Sequence, residues 1–264
     1  MPTLVTFHAH PDDEAIATAG VMAKAAAEGH RVVLVTATRG EQGEVVEGVL
    51  EEGEPLAERR TAELEAAARV LGVARCEVLG YLDSGMMGTP ENDHPESFWR
   101  ADLDEAAGRL AAILAEERAE VLTVYDDHGT YGHPDHIQVH RVGVRAGEIA
   151  GVSKVYEATI SRDHVRRLAA VRPPEVDEAE MPDPDAMDLG VAEERITTIV
   201  DVSAFLEQKR RAMAVHASQI PESSFFLSLP PEAFAAAFGQ EWFILRGRTT
   251  DGAVERDLFD GLAG

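Results

Sequence analysis

Two short clusters carry the chemistry that this sequence offers. The first is His8-Ala9-His10-Pro11-Asp12-Asp13-Glu14, and the second is Tyr131-Gly132-His133-Pro134-Asp135-His136. Each sets imidazoles beside carboxylates. A pair spaced like His10 and Asp13 can turn inward together where a strand hands over to a helix. Two imidazoles and one carboxylate can hold a divalent metal and leave positions open for water and substrate. Such a metal lowers the pKa of water towards neutrality and polarises an amide oxygen. A neighbouring carboxylate can take the water proton, and a second acid can protonate a departing amine. The same ligand types also make the facial triad of non-haem iron oxygenases. Helix capping by Asp12 or Asp13 explains the first cluster taken alone. Two His-Pro-Asp clusters at equivalent places are hard to assign to capping twice. His140, one turn beyond His136, is a rival ligand.

The elements that must position these clusters alternate along the chain. Strands are expected at residues 4–8, 31–38, 76–80, 121–125, 154–160, 196–201 and near 242–246. Helices are expected at 14–28, 55–71, 101–117 and 134–149, and from a Ser203 cap towards residue 218. The alternation predicts an α/β fold: a Rossmann-like, mostly parallel sheet with helices on both faces. Both clusters follow strands, so both belong at the C-terminal strand ends, the ligand-binding edge of open α/β sheets. Residues 172–194 are rich in Pro, Asp and Glu and read as an exposed loop or lid. The chain 1–264 reads as one domain.

Composition removes several function classes. The formal net charge is −24, which argues against nucleic acid or an anionic membrane as partner. No run of eighteen apolar residues predicts a membrane span. The first residues read as a strand and not as a signal peptide. The single cysteine, Cys76, allows no intrachain disulfide and fits a cytoplasmic protein. It sits in an expected strand, where core packing accounts for it. A small-molecule substrate remains, and a homo-oligomer stays open.

The paired HPDDE and HPDH motifs resemble those of the LmbE/PIG-L metal-dependent N-deacetylases. Thr38–Glu44, Asp83–Thr89, Tyr131–His136 and His216–Gln219 extend the likeness to the branch that deacetylates N-acetylglucosaminyl-inositol and to the mycothiol S-conjugate amidases. The likeness is strong over about the first 150 residues and patchy beyond. It implies that His10, Asp13 and His136 hold one divalent ion, zinc, with iron(II) as an alternative in cells. It implies Asp12 as general base. His133 would support the oxyanion or protonate the leaving amine, tuned by Asp135, and Tyr131 would help polarise the carbonyl. Glu44, Arg60 and Asp83 match sugar-binding positions. The implied reaction removes an N-acetyl group from an N-acetylglucosaminyl glycoside.

Other readings stand beside these. The substrate could be a mycothiol S-conjugate or another amide. The βα alternation argues against the jelly roll that usually carries an iron facial triad. A non-catalytic sugar-binding module would not need Asp12 beside the ligands. Arg60 could be a solvated helix residue paired with Glu63. Glu44 and Asp83 could be turn residues, and His216 a packing histidine. In the acid role His133 must titrate near neutrality, which would give a bell-shaped pH profile.

Overall fold

A strand with no exposed residue needs a partner on each edge and cover on each face. Strand β1 (Thr3–His8) is buried at all six positions. It pairs in parallel with β2 (Arg31–Thr36) on one side and with β4 (Val121–Tyr125) on the other. The sheet, in a computed structural model that describes residues 1–170, 188–249 and 254–262, has the order β3-β2-β1-β4-β5-β7-β6. Here β3 is Arg75–Val78, β5 is Lys154–Thr159, β6 is Thr198–Asp201 and β7 is Gln240–Leu245. Only β7 runs against its neighbours. The chain winds outwards from β1 to β3 and then returns to β4 on the other side of β1. That reversal opens a crevice beyond the C-terminal ends of β1 and β4.

Alternation along the strands sends side chains to two cores. Leu4, Val32 and Leu34 face one, and Val5, Phe7, Val33 and Val35 face the other. The first core is covered by α2 (Ala19–Ala27), α3 (Leu56–Leu71) and α8 (Leu206–Val215). The second is covered by α4 (Leu103–Glu116) and α6 (Pro134–Ala150). Local signals set the helix ends. Asp102 caps α4 by accepting the Glu105 N–H at 3.0 Å. Pro134 opens α6, where its missing N–H costs nothing.

Several sequence expectations change. The helix expected over 14–28 is two helices, α1 (Asp13–Ala17) and α2, broken at Thr18 (φ −136°). The Thr18 hydroxyl bonds His8 Nε2 at 2.9 Å. The Gly20 and Val21 N–H groups each donate to Glu241 at 2.8 Å, and Lys209 neutralises that carboxylate at 2.6 Å. Helical periodicity cannot reveal partners some 220 residues away. Ser203 is not the cap of α8; it opens a 3₁₀ turn and gives its N–H to Asp201 at 2.9 Å. The sequence reading also assigned no helix to α5 (Gly129–Gly132), α7 (Arg162–Ala170), α9 (Phe225–Ser228) or α10 (Pro231–Phe238). Of the segment 172–194, residues up to 187 lie outside the described residues. In the described end Asp188, Glu193 and Glu194 are exposed, whereas Leu189, Gly190 and Val191 are buried and Val191 bridges Ser161. Among the described residues no helix is long and apolar enough to cross a membrane.

Helix α6 is seated close to the sheet because it carries glycine at the contact. A Cβ at Gly143 would lie 2.2 Å from Val124 Cγ1. Gly143→Val should therefore destabilise the protein by about 1–3 kcal/mol through overpacking. A urea midpoint equal to wild type would show that α6 can retreat without cost.

Candidate metal centre and active site

The two motifs meet because β1 and β4 are neighbours and each runs straight into its cluster. Asp13 stands between the two imidazoles. Its Oδ2 lies 3.3 Å from His10 Nδ1 and its Oδ1 lies 3.3 Å from His136 Nε2. Spacings of this size allow the three side chains to share one divalent ion. The donor atoms of all three residues lie within 4.8 Å of one another. Asp13 also accepts the His10 backbone N–H at 2.8 Å, which locks the i, i+3 pair.

The residues behind this set orient it. His10 Nε2 faces Asp135 at 3.2 Å and Asp83 at 3.5 Å. Asp135 is fully buried and accepts hydrogen bonds from the Ser84 N–H, at 2.9 Å, and from the Ser84 hydroxyl. The His136 ring stacks on Tyr125, centroids 4.3 Å apart and planes 12° off parallel. The Tyr125 hydroxyl bonds His8 Nδ1 at 2.9 Å. Gly129 is needed here, since a Cβ would lie 2.7 Å from the His136 Cβ.

The charges call for a cation. Burial alone would lower His10, yet the carboxylates of Asp13, Asp135 and Asp83 carry it well above its ordinary value. Burial alone would raise Asp13, yet His136 and His10 hold it well below the usual carboxylate range. Several carboxylates thus share too few positive charges in a buried space. A divalent ion held by His10, Asp13 and His136 would satisfy that imbalance.

Asp12 stands next to this set and is not part of it. Burial pushes its carboxyl up to about 6 against the pull of the Arg60 guanidinium, and Asp13 adds to the rise. Arg60 Nη2 lies 3.1 Å from Asp12 Oδ2. Arg60 is 3% exposed and also donates to the carbonyls of Gly40 (2.8 Å) and Pro11. It is therefore not a solvated helix residue, and its guanidinium is engaged with the Asp12 turn.

His133 differs from the expectation of a group titrating near neutrality. Burial, then the imidazoles of His10 and His136, push it down to about 4. It is the N-cap of α6, and its Nδ1 accepts the Asp135 N–H at 3.1 Å. A ring whose Nδ1 accepts must carry its proton on Nε2. The helix N-terminus also disfavours a cation. His133 is thus a neutral imidazole whose Nε2–H is its remaining donor.

The other expected residues divide. The Tyr131 hydroxyl reaches to 3.4 Å from His136 Nε2 while its ring is exposed at the rim. Asp83 is buried and turned towards His10, and it accepts the N–H groups of Gln42 (3.1 Å) and Gly85 (2.8 Å). Glu44 is exposed on the connection after β2, outside the network around His10. The rival His140 bonds the Tyr125 carbonyl at 3.0 Å and is not among the groups able to hold a metal. His216 is fully buried against Glu14, at 2.6 Å. Sequence reasoning gave no role to Glu14, Ser84 or Tyr125. Glu14 closes the HPDDE motif and Ser84 stands in the stretch after β3, so both were in view; Tyr125 carried no signal apart from preceding the second motif.

Comparison with known proteins places the chain in a family. The chain is 43% identical over 279 residues to a 1D-myo-inositol 2-acetamido-2-deoxy-alpha-D-glucopyranoside deacetylase of Acidothermus cellulolyticus, covering 98% of this chain and 95% of that one. An enzyme of the same name from Thermomonospora curvata is 41% identical, covering 97% and 96%. Among solved structures, the fold matches an N,N'-diacetylchitobiose deacetylase from Pyrococcus horikoshii, with TM-score 0.58, 23% identity and coverage of 92% and 83%. It also matches GalB, a 4-carboxy-2-hydroxymuconate hydratase from Pseudomonas putida, with TM-score 0.64, 19% identity and coverage of 96% and 100%. Residues 5–147 match the family described as PIG-L, GlcNAc-PI de-N-acetylase. With both motifs inside that span and relatives above 40% identity along nearly the whole chain, this protein belongs to the PIG-L de-N-acetylase family.

Proposed function

We propose that this protein removes the N-acetyl group from an N-acetylglucosaminyl glycoside of the N-acetylglucosaminyl-inositol class, giving acetate and the free amine. The observation that carries the reading is Asp12: a half-buried carboxylate gripped by Arg60 beside a two-histidine, one-aspartate ligand set, in a chain whose near-full-length relatives carry that deacetylase name. We read the chain 1–264 as one such unit acting in the cytoplasm, with zinc as its metal and iron(II) able to occupy the same ligands.

A divalent ion on His10, Asp13 and His136 would activate a water molecule and polarise the amide carbonyl. Asp12 takes the proton that the attacking water gives up. A carboxyl raised to about 6 is close enough to neutrality to return that proton to the nitrogen as the C–N bond breaks. His133 does not supply it; as a neutral donor its Nε2–H supports the carbonyl oxygen as charge gathers there. The Tyr131 hydroxyl stands on the same side of the site and can add a second donor. Asp135 keeps His10 in orientation and gives its N–H to His133. Asp83, turned towards His10, would contact the sugar.

The reading is tested by amine release from metal-reconstituted protein across N-acetylglucosamine, N-acetylglucosaminyl-inositol and a mycothiol S-conjugate. Preference for the inositol glycoside is expected, and preference for the S-conjugate would replace deacetylation with the amidase reading. Roles within the motif separate by metal content. His10→Ala and His136→Ala should lose stoichiometric metal, whereas Asp12→Asn should keep it and lose about 10²- to 10⁴-fold in kcat. An Asp12→Asn variant that is metal-free, or nearly fully active, would reverse the roles of Asp12 and Asp13.

The pH profile tests His133. Its folded pKa is depressed, so it is already neutral across the working range and adds no alkaline limb. His133→Ala should lower kcat by about 10²- to 10³-fold, as loss of an oxyanion donor does, and leave the alkaline limb in place. Disappearance of that limb would return the acid role to His133.

A further inference from the structure

Asp12 holds φ 108° and ψ −32°, a left-handed conformation that side chains other than glycine rarely adopt. Strained backbone persists only where its surroundings over-determine it, and it clusters where function uses it. Three contacts hold this turn. Arg60 grips the Asp12 carboxylate and the Pro11 carbonyl. The Asp12 N–H donates to Glu14 Oε2 at 2.9 Å. Glu14 Oε1 in turn meets His216 Nε2 at 2.6 Å, both side chains being fully buried.

His216 lies 202 residues from Glu14 and stands at the C-terminal end of α8. Its segment is itself anchored. Ser218 donates its N–H (3.0 Å) and its hydroxyl (2.6 Å) to Glu63 on α3, the helix that carries Arg60. Both grips on the Asp12 turn therefore trace to one block, α3 with the turn after α8. Glu14 is not in the ligand set and is not free to act as a base, because its oxygens are taken by Asp12 and His216.

We propose that the His216–Glu14 pair is a positioning device: it fixes the amide of Asp12, and so holds the carboxylate of the base off the metal ligands and towards the attacking water. Resting on the deacetylase reading, the proposal assigns a function to the late His-Ala-Ser-Gln stretch. An ordinary core ion pair would hold α1 to α8 and leave the base indifferent.

The test replaces the pair in the metal-loaded enzyme. His216→Leu leaves a buried carboxylate unpaired and risks misfolding. The double variant Glu14→Leu/His216→Leu removes that charge as well, and such replacements generally keep the fold. In the folded double variant kcat should fall about 10- to 100-fold, the scale of a misplaced catalytic group. KM and metal stoichiometry should stay within about twofold, the pattern of an interaction made in the transition state. His216→Gln, which can still donate an N–H to Glu14, should recover most of kcat. A crystal structure of the double variant should show Asp12 relaxed to negative φ. A native kcat in the folded double variant, a rise in KM alone, failure of His216→Gln to recover activity, or Asp12 still near φ 108° would each overturn the proposal. If the wild type releases amine from no substrate tried, the deacetylase reading fails, and the conformation of Asp12 still decides whether the pair holds the turn.

Discussion

The contact between His10 Nε2 and Asp135 Oδ2 joins motifs 125 residues apart and is the point on which the site depends. With Nε2 turned to Asp135 and Asp83, His10 presents Nδ1 to Asp13 and the ligand set. A ring held on one nitrogen has its other nitrogen oriented and its tautomer chosen. Asp135 also collects two hydrogen bonds from Ser84, so one buried carboxylate gathers the ends of β1, β3 and β4. The crevice at the strand-order reversal is what lets those three ends converge.

Convergence of this kind carries an electrostatic cost. Asp13, Asp83 and Asp135 are buried or nearly so within a few ångströms of one imidazole, and burial disfavours each of their charges. Such crowding of charge is kept where a cation offsets it and where chemistry uses it. His133 shows the complementary effect. Burial first, and then the two neighbouring imidazoles, push its pKa down, and the helix N-terminus it caps disfavours a cation as well. One environment thus raises a carboxyl, Asp12, and lowers an imidazole, His133.

The fold alone does not choose the reaction. A hydratase and a deacetylase both superpose on this chain, as expected when function resides in side chains set on a shared scaffold. The choice rests on the motif residues and on the near-full-length relatives. The late third of the chain matters to the site more than its patchy likeness suggested. His216 reaches Glu14, and Ser218 reaches Glu63. Glu241 and Lys209 hold the start of α2 and so help to place the break at Thr18.

The sequence by itself determined the ligand candidates, the βα alternation and the sheet edge on which both motifs lie. Those features follow from local residue order: apolar runs make strands, and residues directly after a strand must stand at its C-terminal end. Which histidine of the second motif turns towards Asp13, and that His140 turns away to a backbone carbonyl, was decided only by the packing of α6 against β1 and β4. The downward shift of His133 comes first from burial and then from His10 and His136; both imidazoles stand in the motifs, but only the fold buries the three rings together. The same holds for Arg60, whose helical spacing pointed to solvent until the Gly40 and Pro11 carbonyls and the Asp12 carboxylate enclosed it. Long-range pairs such as His216 with Glu14 have no sequence periodicity. Their existence depends on two helices meeting across a core, and only the tertiary structure decides that.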